Sequence, residues 1–138
     1  MRSLGDMQWL NDYIGIPYRF GGRDSDGLDC YGLVKLIYSN EYGETLPDWL
    51  TDVRDLKVRN EEFTKAITSG DFVEKEAPDD GDFVVCYRTR AAHHMGLYFA
   101  GGVIHCVEGT GVSFEQLAKF QRNYVKVVFG EWNPDVDS

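Results

Sequence analysis

The chain has no CxxC pair and none of the short Cys/His ligand spacings that structural zinc sites use. Its three cysteines, Cys30, Cys86 and Cys106, are odd in number and cannot all pair with one another, so a disulfide framework is not expected. No apolar run approaches the roughly 18 residues that a membrane-spanning helix needs. The opening stretch Met1-Arg2-Ser3-Leu4-Gly5-Asp6 has an acid where a secretory leader places its apolar core. The expectation is a chain made and folded in a reducing cytoplasm, without a membrane span. Basic residues are also scarce: 14 Lys and Arg stand against 23 Asp and Glu, a formal charge of −9. A nucleic-acid partner needs a basic surface from which counterions are released, so nucleic acid is excluded as the leading substrate. The four prolines are scattered and there is no internal repeat or low-complexity segment. Residues 1–138 therefore read as one domain.

What is present describes a folded globular chain. At 138 residues, 43% of them hydrophobic, it is long enough to bury roughly two thirds of its surface in one core. Met7–Ile14 reads as a short helix with Trp9, Leu10, Tyr13 and Ile14 on its apolar side, stopped by Gly15 and Pro17. The segment Tyr18–Leu28 is rich in Gly and Asp, lacks periodicity and reads as a loop. From Asp29, an N-cap residue, Leu33, Val34, Leu36 and Ile37 recur at helical spacing, and the helix is expected to reach about Tyr42. A weaker stripe predicts a helix over Asp55–Ser69. After it the period changes to strands at Phe83–Tyr87, Met95–Phe99, Val103–Val107 and Val125–Phe129. Helices followed by strands predict an α+β fold with an antiparallel sheet.

Cys30 falls in the first turn of the helix that Asp29 opens. The helix dipole and unpaired first-turn amides favour negative charge there, which makes a thiol acidic and Cys30 a candidate nucleophile. The alternative is a small buried thiol packing helix on sheet. Gly21, Gly22 and Gly27 in the preceding loop favour the first reading, because they let backbone pass close to the helix end. A thiolate needs a base, and only His93, His94 and His105 are available. An odd separation across a two-residue hairpin loop puts two residues on one face, so His94 and His105 share a face while His93 points away. With Ala100-Gly101 as the loop, Gly96 faces His105 and His94 is its diagonal neighbour, roughly 7 Å away at the backbone. One histidine is then in reach to orient the other; a pair of half-exposed strand histidines is the alternative. The same histidines and cysteines form a competing metal constellation, but Cys106 adjoins His105 and points to the other side of its strand, and Cys86 and Cys106 read as core thiols. No metal and no cofactor is expected.

Five stretches in this order and spacing, Ile16–Gly22, Gly27–Val34, Gly81–Val84, His94–Tyr98 and Ile104-His105, resemble the NlpC family of papain-like cell-wall peptidases. The resemblance covers about residues 13–107. It implies a papain-like α+β fold with the nucleophile at a helix N-terminus packed on an antiparallel sheet. It implies a Cys-His-His triad of Cys30 as nucleophile, His94 as general base and acid, and His105 as the residue that orients His94. Tyr18 matches a family tyrosine near the oxyanion, Asp29 the acid before the nucleophile that helps shape the pocket, and the Cys30 N–H an oxyanion donor. Gly22 and Tyr31 fall within the same substrate and oxyanion region. The substrate class implied is the stem peptide of peptidoglycan, cut at an amide bond.

One departure stands out: Tyr31 follows the nucleophile where the family commonly has Ser. Asp29–Val34 followed by Leu46-Pro47-Asp48-Trp49 looks more like the phage branch, whose members sit in the tails of long-tailed phages. The implied partners are phage tail tip proteins, and the implied location is the virion tail, acting on the bacterial wall. A structural tail component with minor or lost catalysis is the alternative, and a cytoplasmic amidase or acyltransferase on the same fold is a third. The charge is spread unevenly: residues 44–82 hold 12 acids and 5 bases, whereas residues 83–107 hold Arg88, Arg90 and no acid. Arg19, Arg23, Arg88 and Arg90 are thus expected to form a basic rim for the carboxylates of wall peptides.

Overall fold

The computed structural model describes residues 8–47, 61, 64–65, 68, 72–88 and 90–133. The side chains of Ala91 and His93 lie outside the description, so where His93 points is not addressed. The helix predicted over Asp55–Ser69 also lies outside it apart from Glu61, Thr64 and Lys65, which are helical, and Thr68, whose N–H donates to the Thr64 carbonyl at 3.0 Å.

The first turn, Gln8–Asp12, is a 3-10 helix that buries Trp9 and Leu10. Tyr13 behind it is also buried, but Ile14 is 42% exposed and does not join the apolar side as expected. The tighter winding stops at Asp12, and the chain turns away at Gly15 (φ +90°) before Ile14 reaches the core. The segment expected to be a loop contains a minimal hairpin, β1 (Arg23–Asp24) with β2 (Gly27–Leu28). Helix α1, Cys30–Ile37, follows at once, and the winding continues as a π-helical turn over Tyr38–Tyr42, closed by Gly43 at φ +67°.

The sheet has six strands: β3 (Phe72–Lys75), β4 (Phe83–Arg88), β5 (Ala91–Phe99), β6 (Gly102–Val107), β7 (Gly111–Gln116) and β8 (Lys126–Trp132), in the order β3-β8-β4-β5-β6-β7. Every neighbouring pair is antiparallel. A short helix, α2 (Leu117–Gln121), links β7 towards β8. The fold is α+β, a helix packed on a mostly antiparallel sheet, as the order of elements predicts. β3 and β7, the two edge strands, are absent from the sequence reading.

Strand alternation sorts the interior into two clusters. Leu33, Val34 and Ile37 of α1 pack with Phe83, Val85, Met95, Leu97, Ile104 and Cys106. Val84, Cys86, Val103 and Phe129 form a smaller cluster with Phe120 of α2. Lys75 ties the end of the edge strand to the connection leading into β4, through Asp79 at 2.5 Å and the buried Asp82 at 2.7 Å. No helix among the described residues is long and apolar enough to cross a membrane.

The start of α1 is held by two glycines in close approach. A Cβ on Gly32 would overlap the Gly22 carbonyl, and one on Gly22 would overlap the Gly27 carbonyl. In an open helix Gly→Ala stabilises by up to about 1 kcal/mol. Gly32→Ala is expected to reverse that sign and destabilise by about 1–3 kcal/mol, measured as a lower urea midpoint at unchanged m-value.

Candidate active site

Asp29 adopts an extended backbone (φ −93°, ψ −174°) and its Oδ1 accepts the Gly32 N–H at 2.7 Å, the N-cap bond expected of it. The same oxygen accepts from Arg23 Nη1 at 2.7 Å, and Arg23 also donates to the Gly22 carbonyl at 2.9 Å. This guanidinium lies 5.7 Å from the Tyr31 ring centroid. Arg23 therefore turns inward to balance the carboxylate that adjoins Cys30, and does not stand on an outer rim. Tyr31 is wholly buried, with its hydroxyl donating to the Pro47 carbonyl at 2.5 Å, so it presents no surface to a ligand. Tyr18 forms a parallel bridge with Leu28, two residues before Cys30, and is half-buried. Arg19 is exposed, with its stem against Gly27. Gly22 serves as packing: its carbonyl receives Asp29 N–H, and its own N–H donates to the Arg19 carbonyl at 2.8 Å.

The histidines come from the β5–β6 hairpin. Gly96 pairs with His105 and Phe99 with Gly102, which leaves Ala100-Gly101 as the loop, both at positive φ (49° and 83°), a type I′ arrangement. Asp80 Oδ1 accepts the Ala100 N–H at 2.8 Å and anchors the turn. Between β4 and β5 the register slips at Cys86/Tyr87, making His93 an extra residue beside His94. Such a bulge re-aims the side chains next to it.

His94 and His105 are both buried, and His94 Nε2 lies 3.0 Å from His105 Nδ1. His105 Nε2 is 3.2 Å from Glu115 Oε2 on β7. A carboxylate only accepts, so Nε2 of His105 carries the proton; Nδ1 of neutral His105 then accepts from His94 Nε2–H. Burial pulls the His105 pKa below its usual 6.5, with the charge and hydrogen bond of Glu115 opposing, so His105 is neutral at pH 7. His94 is left with Nδ1 as its basic nitrogen. Glu115 is absent from the sequence reading; it was findable only by extending the face rule across a second hairpin, since Ser113 pairs with His105 and Glu115 is the diagonal neighbour on the same face.

Around this pair, Tyr124 stacks on His94 (centroids 5.9 Å apart, planes 18° off parallel), and Phe120 meets His105 edge-on at 4.8 Å. The exposed Arg88 has its guanidinium 5.8 Å from the Tyr124 ring centroid, which brings it to the outer side of His94; Arg90 is exposed. Cys86, directly across from His94, is buried, and burial, followed by the charge of Cys30, pushes its thiol well up. Burial, then Cys30 and Asp29, pushes Cys106 up to about 12, and its Sγ donates to the Leu28 carbonyl at 3.1 Å. Tyr124 is likewise raised by burial, with Cys30 among the lesser causes. The charge of Cys30 thus acts on Cys86 and Tyr124, which lie against His94, and on Cys106 on the opposite face of the strand that carries His105. Cys30 itself is partly exposed, unlike the other two cysteines.

The NlpC/P60 family model matches residues 15–129. The chain belongs to the NlpC/P60 family. Among relatives, the "Probable endopeptidase NlpC homolog" of Haemophilus influenzae is 27% identical over 108 residues, which cover 78% of this chain and 50% of that protein. The Escherichia coli Murein DD-endopeptidase MepS/Murein LD-carboxypeptidase is 24% identical over 107 residues, covering 77% and 50%. The chain spans about half the length of these curated relatives. Among solved structures, the NlpC/p60 domain of peptidoglycan hydrolase SagA superposes with a TM-score of 0.60 at 21% identity, covering 88% of this chain and 90% of that one. An NlpC/P60 family protein from Bacillus cereus also gives 0.60, at 22% identity, covering 94% and 40%. These structures share the fold described above.

The lowered His105 pKa has a consequence for stability. Between the lowered value and 6.5 the unfolded chain binds a proton that folded His105 does not. The contribution is complete above pH 6.5 and is lost as pH falls below it. Urea unfolding between pH 5 and 7 should show stability rising with pH, with a shallower slope in His105→Asn.

Proposed function

We propose that this chain is a cysteine endopeptidase that hydrolyses amide bonds in peptidoglycan stem peptides. The observation that carries the proposal is the buried, bonded His94–His105 pair, together with a partly exposed cysteine at a helix N-terminus whose charge acts on Cys86 and Tyr124, the residues paired with and stacked on His94. The family membership and the names of its endopeptidase relatives support the substrate class. In this reading His94 Nδ1 takes the Cys30 proton, and the dipole of α1 favours the thiolate. The sulfur attacks the amide carbon, and the Cys30 N–H and Tyr18 face the tetrahedral oxyanion. His94 protonates the departing amine, then draws a proton from water, which hydrolyses the thioester. Arg88 offers positive charge to a stem-peptide carboxylate.

The finer part of the proposal is the setting: a component of a phage tail tip, held by tail proteins, that opens the bacterial wall during entry. It rests on the likeness of Asp29–Val34 and Leu46–Trp49 to the phage branch. The Tyr31–Pro47 bond supports treating these stretches as one unit, since the residue after the nucleophile holds the second stretch in place; Asp48 and Trp49 lie outside the described residues. A tail component assembled for its structure alone is the competing role.

Cys30→Ala is expected to abolish fragment release from purified peptidoglycan, and His94→Ala to reduce it by about 100-fold or more, both with unchanged far-UV dichroism. Mass spectrometry of digested muropeptides identifies the bond, and full activity in Cys30→Ala would sink the mechanism. Phage carrying Cys30→Ala should assemble normally and inject poorly; normal injection would favour the structural role.

A further inference from the structure

We propose that Glu115 is a positioning residue, the outermost member of a relay Glu115–His105–His94 that keeps His94 Nδ1 unprotonated and directed to the nucleophile. The proposal rests on the reading of Cys30 and His94 as nucleophile and base. Its foundation is geometric: two consecutive contacts, 3.0 Å and 3.2 Å, join three side chains from β5, β6 and β7.

The bond between the two imidazoles admits two arrangements. Either His94 Nε2–H donates to His105 Nδ1, or His105 Nδ1–H donates to His94 Nε2. In the second, neutral His94 carries its proton on Nδ1 and cannot accept one from Cys30. The tautomers of the two rings change together, and Glu115, as an acceptor at His105 Nε2, selects the first. A neutral partner would choose less strictly, and water at this site would accept or donate equally well.

Glu115 also acts by charge. When a proton passes from Cys30 Sγ to His94 Nδ1, the products are a thiolate and an imidazolium, while the protons on His94 Nε2 and His105 Nε2 stay in place. The imidazolium then lies one imidazole away from a carboxylate whose side chain is 23% exposed, where screening is incomplete. Among the described residues, the other titratable or charged groups on this side of the sheet are Cys86 and Arg88 on β4 and Tyr124 after α2, with the charge of Cys30 on α1 acting on Cys86 and Tyr124. Of these, Arg88 opposes the imidazolium, and among the described residues Glu115 is the carboxylate seen in contact with the pair, through His105.

The test uses the full chain labelled with 15N-histidine and needs no substrate. Long-range 15N–1H spectra report which ring nitrogen is protonated, and peptide mass spectrometry follows iodoacetamide alkylation of Cys30 against pH. The wild type should show His94 and His105 both protonated at Nε2. Glu115→Ala should add a population protonated at His105 Nδ1 and slow alkylation at pH 6 by about tenfold, with its pH midpoint moved up. Glu115→Met, similar in length and without an acceptor, should do the same and stands in if the alanine variant does not fold. Glu115→Gln, whose neutral amide can accept or donate at His105 Nε2, should restore the tautomer in part. Where hydrolysis is measured, Glu115→Ala should lower kcat on the order of 100-fold with KM little changed. Tautomers and alkylation profiles within twofold of wild type in both Ala and Met variants would overturn the proposal. A wild type that alkylates and titrates as described but hydrolyses nothing would instead remove the proposed function and leave the relay standing.

Discussion

The hydrogen bond between His94 Nε2 and His105 Nδ1 is the constraint around which the sheet is arranged. Two buried imidazoles without partners would each leave a polar group desolvated, at about 1–3 kcal/mol apiece. Paired at 3.0 Å they satisfy one another, but only if the β5–β6 register is right. A slip of one residue would exchange His105 for Cys106 on that face. The positive φ values of Ala100 and Gly101 fix the turn and hence the register. Gly96 has its own part: it sits directly across from His105, and a Cβ there would come within 3.0 Å of the His105 Cβ and 2.6 Å of the Ile104 carbonyl. The glycine leaves the histidine side chains the space to meet.

At the other end of the site, Asp29 resolves a conflict of charge. An N-cap acid is favourable for the helix, yet a carboxylate adjoining Cys30 works against a second negative charge on sulfur. Arg23, bonded to the same oxygen at 2.7 Å, offsets that opposition while leaving the cap intact. The β1–β2 hairpin exists to bring Arg23 back over the helix start, and the Gly22–Gly32 approach is what lets it lie so close. Tyr31 completes the arrangement against the guanidinium, and its hydroxyl ties the start of α1 to the Pro47 carbonyl.

Much of this was legible in the residues. The Asp29 cap, the Ala100-Gly101 loop and the shared face of His94 and His105 follow from local rules, because each depends on a spacing of a few residues along the chain. What was not legible depends on pairing across longer distances. Gly111–Gln116 alternates Val112 and Phe114 with Ser113 and Glu115, a strand pattern, but Phe114 is 39% exposed and the polar side faces the histidines, the reverse of what alternation suggests at an edge. The bulge at His93 leaves no mark in composition, since only the partner strand defines it. Position beside Cys30 and in the Gly-rich loop points to a pocket role for Tyr31 and a rim role for Arg23; burial of one and the inward turn of the other are properties of packing.

The same long-range pairing alters the meaning of the charge distribution. Residues 83–107 contain no acid, which by itself would make the histidine region simply basic. Glu115 crosses from the neighbouring strand to supply the missing carboxylate, while Asp29 arrives from the helix side. Each of these acids is committed, one to His105 and the other to Arg23 and the Gly32 amide. Neither projects its charge undiminished towards the face where Arg88 lies over Tyr124. The net charge of −9 therefore does not by itself describe this region, because what an approaching anion meets is the balance left after each acid has been paired.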